Sequence, residues 1–431
     1  MKLQVETNIG TIEGFAEDGI RKFLGVPYAA PPIGERRFRK AQAPAHRGEI
    51  IRADGYKAKC PQLRIPVVPD NGLPHSEDCL YMNIWAPAEC EKAPVLFWTY
   101  GGAFASGEGS EKTYEGTNLV ARGDVIVVTY NYRVGIFGGF YPLDRYVGGD
   151  IYSPNAGLSD VLCALRFVHD NIEAFGGDPD NITIAGESAG AVITALLAGA
   201  PELQDMFSKV ILESFVDMDK YGQPGRNAAA ELLDAAETTD ASELLAWDSS
   251  KLLDAQAKIC GGNPAMSGCA PLKTGSFFTA PIWDRIAKNM SGKAILAGTN
   301  RDEAVVFLPP ELMGTAQGET MKTEMTKTVF EEPTRMLLDA ASMNNRAFAY
   351  RFDYVPMVFR HNGMGAFHSA EMDYVFGNLT AAVAGSEEEA GKVSQRMMDA
   401  WLAFIRSGDP GWKAYTAQAP QAFCFEAEPE A

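Results

Sequence analysis

Apolar positions in the first half of this chain fall into short unbroken runs that alternate with segments of helical spacing. Val95-Leu96-Phe97-Trp98-Thr99-Tyr100 and Val125-Ile126-Val127-Val128-Thr129-Tyr130 are strand-length runs with almost no polar interruption, the pattern of strands covered on both faces. Between them lies the glycine-rich turn Gly101-Gly102-Ala103-Phe104. From Asp160 to Phe175, Val161, Leu162, Leu165, Val168 and Ile172 share one helical face. Gly176-Gly177-Asp178-Pro179-Asp180 ends that helix, and Asn181-Ile182-Thr183-Ile184-Ala185 reads as the next buried strand. A helix is expected over Ala191–Leu197 and a strand over Val210-Ile211-Leu212.

Strand, crossover helix and parallel strand in repeated succession predict a wound α/β sheet. Further along, residues 226–258 are rich in Ala and Leu with dispersed acids and read as surface helices. Ala294-Ile295-Leu296-Ala297-Gly298 and Phe348-Ala349-Tyr350-Arg351-Phe352 read as later strands, and Ala390–Ile405 as a C-terminal helix. No repeat, low-complexity tract or linker divides the chain, so a single domain over residues 1–431 with insertions is expected.

Composition narrows the class. Hydrophobic residues make up 46% and charged residues 22% of 431, the balance of a globular enzyme with a sizeable core. The formal charge of −18 is spread along the chain, which favours solubility and offers nucleic acid no basic stripe. No apolar run is long enough to span a bilayer, and Met1–Glu6 lacks the features of a secretory leader. A cytoplasmic location without membrane partners is therefore expected, and the oligomeric state is left open. The seven cysteines form no Cys-x-x-Cys pair, so neither a metal site nor a thioredoxin-like motif is expected.

Gly186-Glu187-Ser188-Ala189-Gly190 fits Gly-x-Ser-x-Gly between a strand and a helix, where small flanking residues allow the turn that lifts a serine above a sheet. The motif alone is weak, since an ordinary strand-to-helix turn has the same composition. A serine nucleophile needs a histidine to take its proton and an acid to orient that histidine, and in this fold they follow in the order Ser, acid, His. His46, His75 and His169 precede Ser188, leaving His361 and His368. His368 ends the small-residue stretch Gly363-Met364-Gly365-Ala366-Phe367, suited to a loop-borne base, whereas His361 follows Arg360 in a more polar segment. For the acid, Asp302 and Glu303 both follow a strand, and chemistry alone does not separate them. Gly101-Gly102-Ala103 and the N–H of Ala189 are candidates for the backbone donors that an oxyanion requires.

These motifs together resemble the type-B carboxylesterase family. The resemblance runs nearly end to end. Phe175–Asn181 leading into Gly186–Gly190 is similar to its serine signature, and Glu77-Asp78-Cys79-Leu80-Tyr81-Met82-Asn83-Ile84-Trp85 to its second signature. Phe23–Ala29 with Arg37-Phe38, Asn131–Gly135, Trp401–Phe404 and Gly408-Asp409-Pro410 resemble other blocks. The resemblance implies an α/β-hydrolase fold with a mostly parallel sheet and no cofactor. It also implies hydrolysis of small-molecule esters by Ser188, His368 and Glu303, the last preferred over Asp302, with oxyanion donors at Gly102, Ala103 and Ala189. It matches Cys60 and Cys79 to a family disulfide and Cys260 with Cys269 to a second, although both pairs would stay reduced in the cytosol.

Three departures stand out. The Cys60–Cys79 segment lacks the aromatic residue with which cholinesterases hold a quaternary ammonium, so uncharged esters are the expected substrates. Glu303 and His368 are close in sequence for the family, implying a reduced helical cap. Val161 replaces a usual Gln, which no physical argument explains. Two other readings share the motifs. One is a non-catalytic binding member of the fold; such members typically lose the serine or histidine, both kept here. The other is the same triad acting on amides, carbamates or lactones.

Overall fold

In the computed structural model, the described residues are 2–65, 71–141, 143, 146, 152–217, 228–261, 263, 269–273, 280–360, 362–380 and 388–427. Among these residues, twelve strands form one sheet: β1 (Lys2–Thr7), β2 (Gly10–Glu17), β3 (Ile20–Pro27), β4 (Ile51–Arg52), β5 (Tyr81–Pro87), β6 (Ala93–Thr99), β7 (Ile126–Tyr130), β8 (Gly177–Glu187), β9 (Lys209–Glu213), β10 (Ala294–Asn300), β11 (Arg346–Phe352) and β12 (Phe423–Phe425). Their order is β1-β2-β3-β5-β7-β6-β8-β9-β10-β11-β12, with β4 beside β2. Every pairing from β7 to β12 is parallel. The succession β1-β2-β3-β5-β7 is antiparallel.

Strands β6 to β11 match the sequence expectations, because they are largely buried and read as apolar runs, whereas the short, partly exposed β12 was not anticipated. Val95, Phe97, Ile182, Ile184, Val210 and Ile211 are fully buried. The N-terminal strands β1 to β5, antiparallel except for β4 beside β2, were not anticipated from pattern. In β2 buried and half-buried residues alternate, a weaker signal than an apolar run. Strand β8 is longer than expected. It begins at Gly177, pairs Gly177 with Ala93, and shifts register before Val95 and Ile182, so Asp178-Pro179-Asp180 occupies an irregularity rather than ending the strand.

Helices α1 (Ala156–Asn171), α2 (Ala189–Ala198), α3 (Ala316–Met325), α4 (Glu332–Ala341) and α5 (Glu388–Ser407) are among those flanking the sheet. α1 starts four residues earlier than its sequence pattern suggested, and Ile172–Phe175 continues it as a 3₁₀ turn. Two ion pairs fix connections over the sheet. Asp160 of α1 receives Arg133 Nε and Nη2 at 2.8 and 2.7 Å, and both side chains are buried. Arg37 pairs with Glu77 and donates to the carbonyls of Leu244 and Leu245 at 3.1 and 2.9 Å. Removing one member of a buried pair leaves an uncompensated charge and costs about 3–5 kcal/mol. The family-like blocks at Arg37-Phe38, Glu77 and Asn131–Gly135 thus include groups that hold loops in place. None of the seven cysteines is disulfide-bonded, so both pairings implied by the resemblance are thiols here.

Candidate active site

The chain turns sharply from β8 into α2 at Ser188, which has φ 55° and ψ −122°. A non-glycine residue in that region is strained and persists only where its surroundings impose it. Its neighbours do so. A Cβ on Gly186 would lie 2.5 Å from the Gly190 carbonyl oxygen, and one on Gly190 would lie 2.1 Å from that of Thr99. Only glycine permits such close passage of α2 over β6 and β8. Ser188 N donates to the Glu213 carbonyl at 2.9 Å, tying the turn to the end of β9.

Gly101 lies against the same turn, since a Cβ there would come within 3.0 Å of Ser188 Cβ. Gly102, Ala103 and Phe104 follow with φ of 102°, 54° and 59°. Among the described residues, the N–H groups of Gly102, Ala103 and Ala189 donate to no protein acceptor. Ala103 keeps its backbone donor in this left-handed conformation despite the added methyl.

Glu303 is fully buried at the start of a 3₁₀ turn after β10. Its Oε1 accepts from Ser214 Oγ at 2.6 Å and from Asn300 N at 2.8 Å, while Oε2 meets His368 Nδ1 at 2.6 Å. Asp302, the rival acid, points elsewhere. Its carboxylate accepts from Ala366 N at 2.9 Å and pairs with Arg301 and Lys322 at 2.8 and 3.4 Å. Asp302 therefore pins the loop that carries His368, and geometry separates two acids that chemistry alone left open. His361 lies outside the described residues, and His169 contacts Asp170 at 3.2 Å.

His368 Nε2 faces a group not singled out from the sequence: Glu187 Oε1, 3.1 Å away. Glu187 is buried and also accepts from Ser369 Oγ at 2.6 Å. Among the described residues, His368 contacts Glu303 and Glu187, and Ser188 Oγ is not hydrogen-bonded to it. Such looseness is common before substrate binds. The missed signal was an acid directly before the nucleophile, where the turn forces its side chain toward the same centre. Ser214 was missed too. It sits one residue past β9, at the carboxyl end of a parallel strand.

Burial disfavours the imidazolium, but the nearby Glu187 and Glu303 carboxylates outweigh it and hold the His368 pKa above its ordinary value. Burial likewise raises Glu187. It pushes Glu213, whose Oε1 accepts from Trp401 Nε1 at 2.9 Å, up to about 8. Burial thus raises both Glu187 and Glu213 beneath the site. Phe307 and Phe330 lie 5.2 and 5.1 Å from the His368 ring, centroid to centroid. Phe330 comes from a π-helical turn, Thr326–Glu331, joining α3 to α4, a local form often found beside functional sites.

Replacing Glu187 by Gln removes one of the charges that favour the imidazolium. A neutral imidazole is needed to accept a serine proton, so the acidic limb of kcat/KM should lie above pH 6.5 in the parent. In Glu187→Gln it should move down, because one of the carboxylates that raise His368 is gone. A pH–rate series on both proteins checks this, and a limb that stays put or rises would remove Glu187 from the base's environment.

A strained serine at a strand-to-helix turn, an adjoining His–Glu pair and unpaired backbone donors define a serine hydrolase of the α/β-hydrolase fold. The carboxylesterase family model matches residues 1–332 and 313–430, and the chain belongs to that family. It is 33% identical over 474 residues to the para-nitrobenzyl esterase of Bacillus subtilis (strain 168), covering 98% of this chain and 95% of that one. It is 30% identical to the fumonisin B1 esterase of Sphingopyxis macrogoltabida, covering 95% of this chain and 83% of the relative. A solved thermophilic para-nitrobenzyl esterase superposes with a TM-score of 0.89 at 31% identity, covering 99% of this chain and 97% of that one. The protein is thus a carboxylic-ester hydrolase. Among the described residues, no helix is long and apolar enough to cross a membrane.

Proposed function

We propose that the protein cleaves uncharged carboxylic esters through an acyl-enzyme on Ser188. His368 is the general base and Glu303 its orienting acid, and the N–H groups of Gly102, Ala103 and Ala189 hold the oxyanion. The 2.6 Å contact between Glu303 Oε2 and His368 Nδ1 carries this reading. It holds the Nδ1–H tautomer, leaving Nε2 to accept a proton.

As Ser188 Oγ attacks the ester carbonyl, its proton passes to Nε2 and the carbonyl oxygen becomes an oxyanion. Three unpaired backbone donors then stabilise charge that exists only beyond the ground state. Collapse expels the alkoxide, which takes the proton from Nε2. Water attacks the acyl-serine by the same route, with His368 again the base, and releases the carboxylic acid. For this cycle the imidazole, anchored at Nδ1 by Glu303, turns its Nε2 from Glu187 Oε1 toward Ser188 Oγ.

Several observations favour bulky, uncharged alcohol groups. Phe307, against the base, is 45% exposed, so an aromatic wall opens to solvent. The short segment between Glu303 and His368 leaves little cap over it, and residues 60–79 contain no Phe, Tyr or Trp. With one acyl group, kcat/KM should hold or rise from methyl to phenyl to naphthyl esters, and a choline ester should show no preference. A steep fall toward naphthyl, or choline as the best alcohol, would overturn the open-pocket reading.

A single domain over residues 1–431 is part of this proposal, supported by one sheet that takes strands from Lys2–Thr7 and from Phe423–Phe425. A cytoplasmic location is another part, supported by seven cysteines without a disulfide.

A further inference from the structure

Strand β3 is interrupted at Gly25. Its pairing with β5 shifts register between Leu24 and Val26, and Gly25 takes φ 86°. Asn83 Oδ1 accepts from Gly25 N at 3.1 Å and holds the irregularity in place. Bulges of this kind re-aim side chains and leave room beside a strand. Here the room is a cleft of about 290 Å³, lined by Gly25, Pro27, Arg47, Glu49, Ile50, Ile51, Arg52, Lys57 and Tyr81. That volume is at the lower end for small-molecule sites.

The charge of the lining is opposite to that of the protein. The chain carries 56 acidic against 38 basic residues, yet three cations and one carboxylate line this cleft. Among the described residues, Arg47, Arg52 and Lys57 make no ion pair. Basic side chains elsewhere, including Arg122, Arg301, Lys322, Arg335 and Arg351, each have a carboxylate within 4.0 Å. Unpaired like charges gathered at one place repel one another and attract an anion.

The cleft also shows construction. The stem of Lys57 crosses the bare face of Gly25, where a Cβ would lie 2.6 Å from Lys57 Cγ and 2.8 Å from Cε. Any side chain at position 25 would displace the lysine. Arg52 is placed by β4, which pairs with β2 and not with the bulged strand. Pro27, Ile50, Ile51 and the ring of Tyr81 supply apolar surface, with Ile50 51% exposed. Burial and the nearby Asp78 carboxylate push the Tyr81 phenol up, so it stays neutral and recognition of charge falls to the three cations.

We propose that this cleft, built by the Gly25 bulge, binds a small organic carboxylate through Arg47, Arg52 and Lys57, with its apolar body against Ile50, Ile51 and Tyr81. Arginine forks suit the two oxygens of a carboxylate, and apolar walls distinguish an organic acid from a bare inorganic anion. Hydrolysis of esters releases carboxylic acids, so the ligand class is one this protein generates.

Benzoate titrated into the full chain, followed by calorimetry, tests the site. Saturable binding with Kd on the order of 1 mM or tighter is expected. Arg52→Gln and Lys57→Met should each weaken it at least fivefold, while kcat/KM for a phenyl ester stays within twofold. Benzyl alcohol, the uncharged analogue, should not saturate. Unchanged benzoate affinity in the double variant would move the binding elsewhere, the Ser188 site included, and overturn the proposal. Inorganic phosphate binding as tightly as benzoate would also overturn it, by reducing the cleft to a patch of charge.

Discussion

Replacing Ser188 by alanine is expected to lower kcat by a factor of about 10⁴ to 10⁶ without loss of fold. The structure says why the fold should survive. Ser188 Oγ has no hydrogen-bond partner, so its removal leaves no buried group unsatisfied. Alanine carries the same Cβ into the strained turn, and Gly186 and Gly190 still impose that conformation. What disappears is the atom that, in the proposed cycle, forms the acyl bond. The oxyanion donors remain, which is why residual turnover should stay above that of water. His368→Ala should lose as much activity but melt lower. It strips Glu303 Oε2 of its partner and opens space between Phe307 and Phe330. Turnover of a chromogenic ester and a thermal melt separate the two effects. Ser188→Ala retaining more than a tenth of parental turnover would refute the nucleophile.

Strands β6 to β11 were legible because a strand buried on both faces leaves an apolar run, as Val125–Tyr130 does. The turn at Ser188 was legible because it needs glycine on both sides, and the structure shows the clashes that make this so. By contrast, β1 at the sheet edge and its neighbour β2 are partly exposed strands whose alternation blends into surface sequence. Site groups were legible where a motif or chain order singled them out, as for His368. Ser214 and Glu187 are different. Their roles come from which strand ends are adjacent in space, since Ser214 follows β9 and Glu303 follows β10, its parallel neighbour. Nothing in a linear pattern records that adjacency. Asp302 and Glu303 show the same limit, being neighbours in sequence whose side chains hold different parts of the molecule.

Glu303→Gln should cost about 10³ to 10⁴ in kcat, though the amide matches the carboxylate in shape. Two donors, Ser214 Oγ and Asn300 N, converge on Oε1 at 2.6 and 2.8 Å. A glutamine must place its carbonyl oxygen there, because its NH₂ would confront the Asn300 N–H and leave two buried donors unpaired. The NH₂ group then occupies the position of Oε2 and donates to His368 Nδ1. An imidazole that accepts at Nδ1 carries its proton on Nε2, toward Glu187 Oε1, which welcomes a donor at 3.1 Å. The variant should therefore be well folded, with its histidine locked in the tautomer that cannot take the Ser188 proton. Losing the Glu303 charge also removes one of the carboxylates that raise the His368 pKa, so the ring is more often neutral, yet neutral in the wrong form. The expected result is a large fall in kcat with a melting temperature near that of the parent. Asp302→Asn should by comparison cost less than tenfold in kcat, its effect passing through the Ala366 N–H that it anchors. A Glu303→Gln protein within tenfold of parental kcat, or an Asp302→Asn protein that loses more, would reassign the orienting acid.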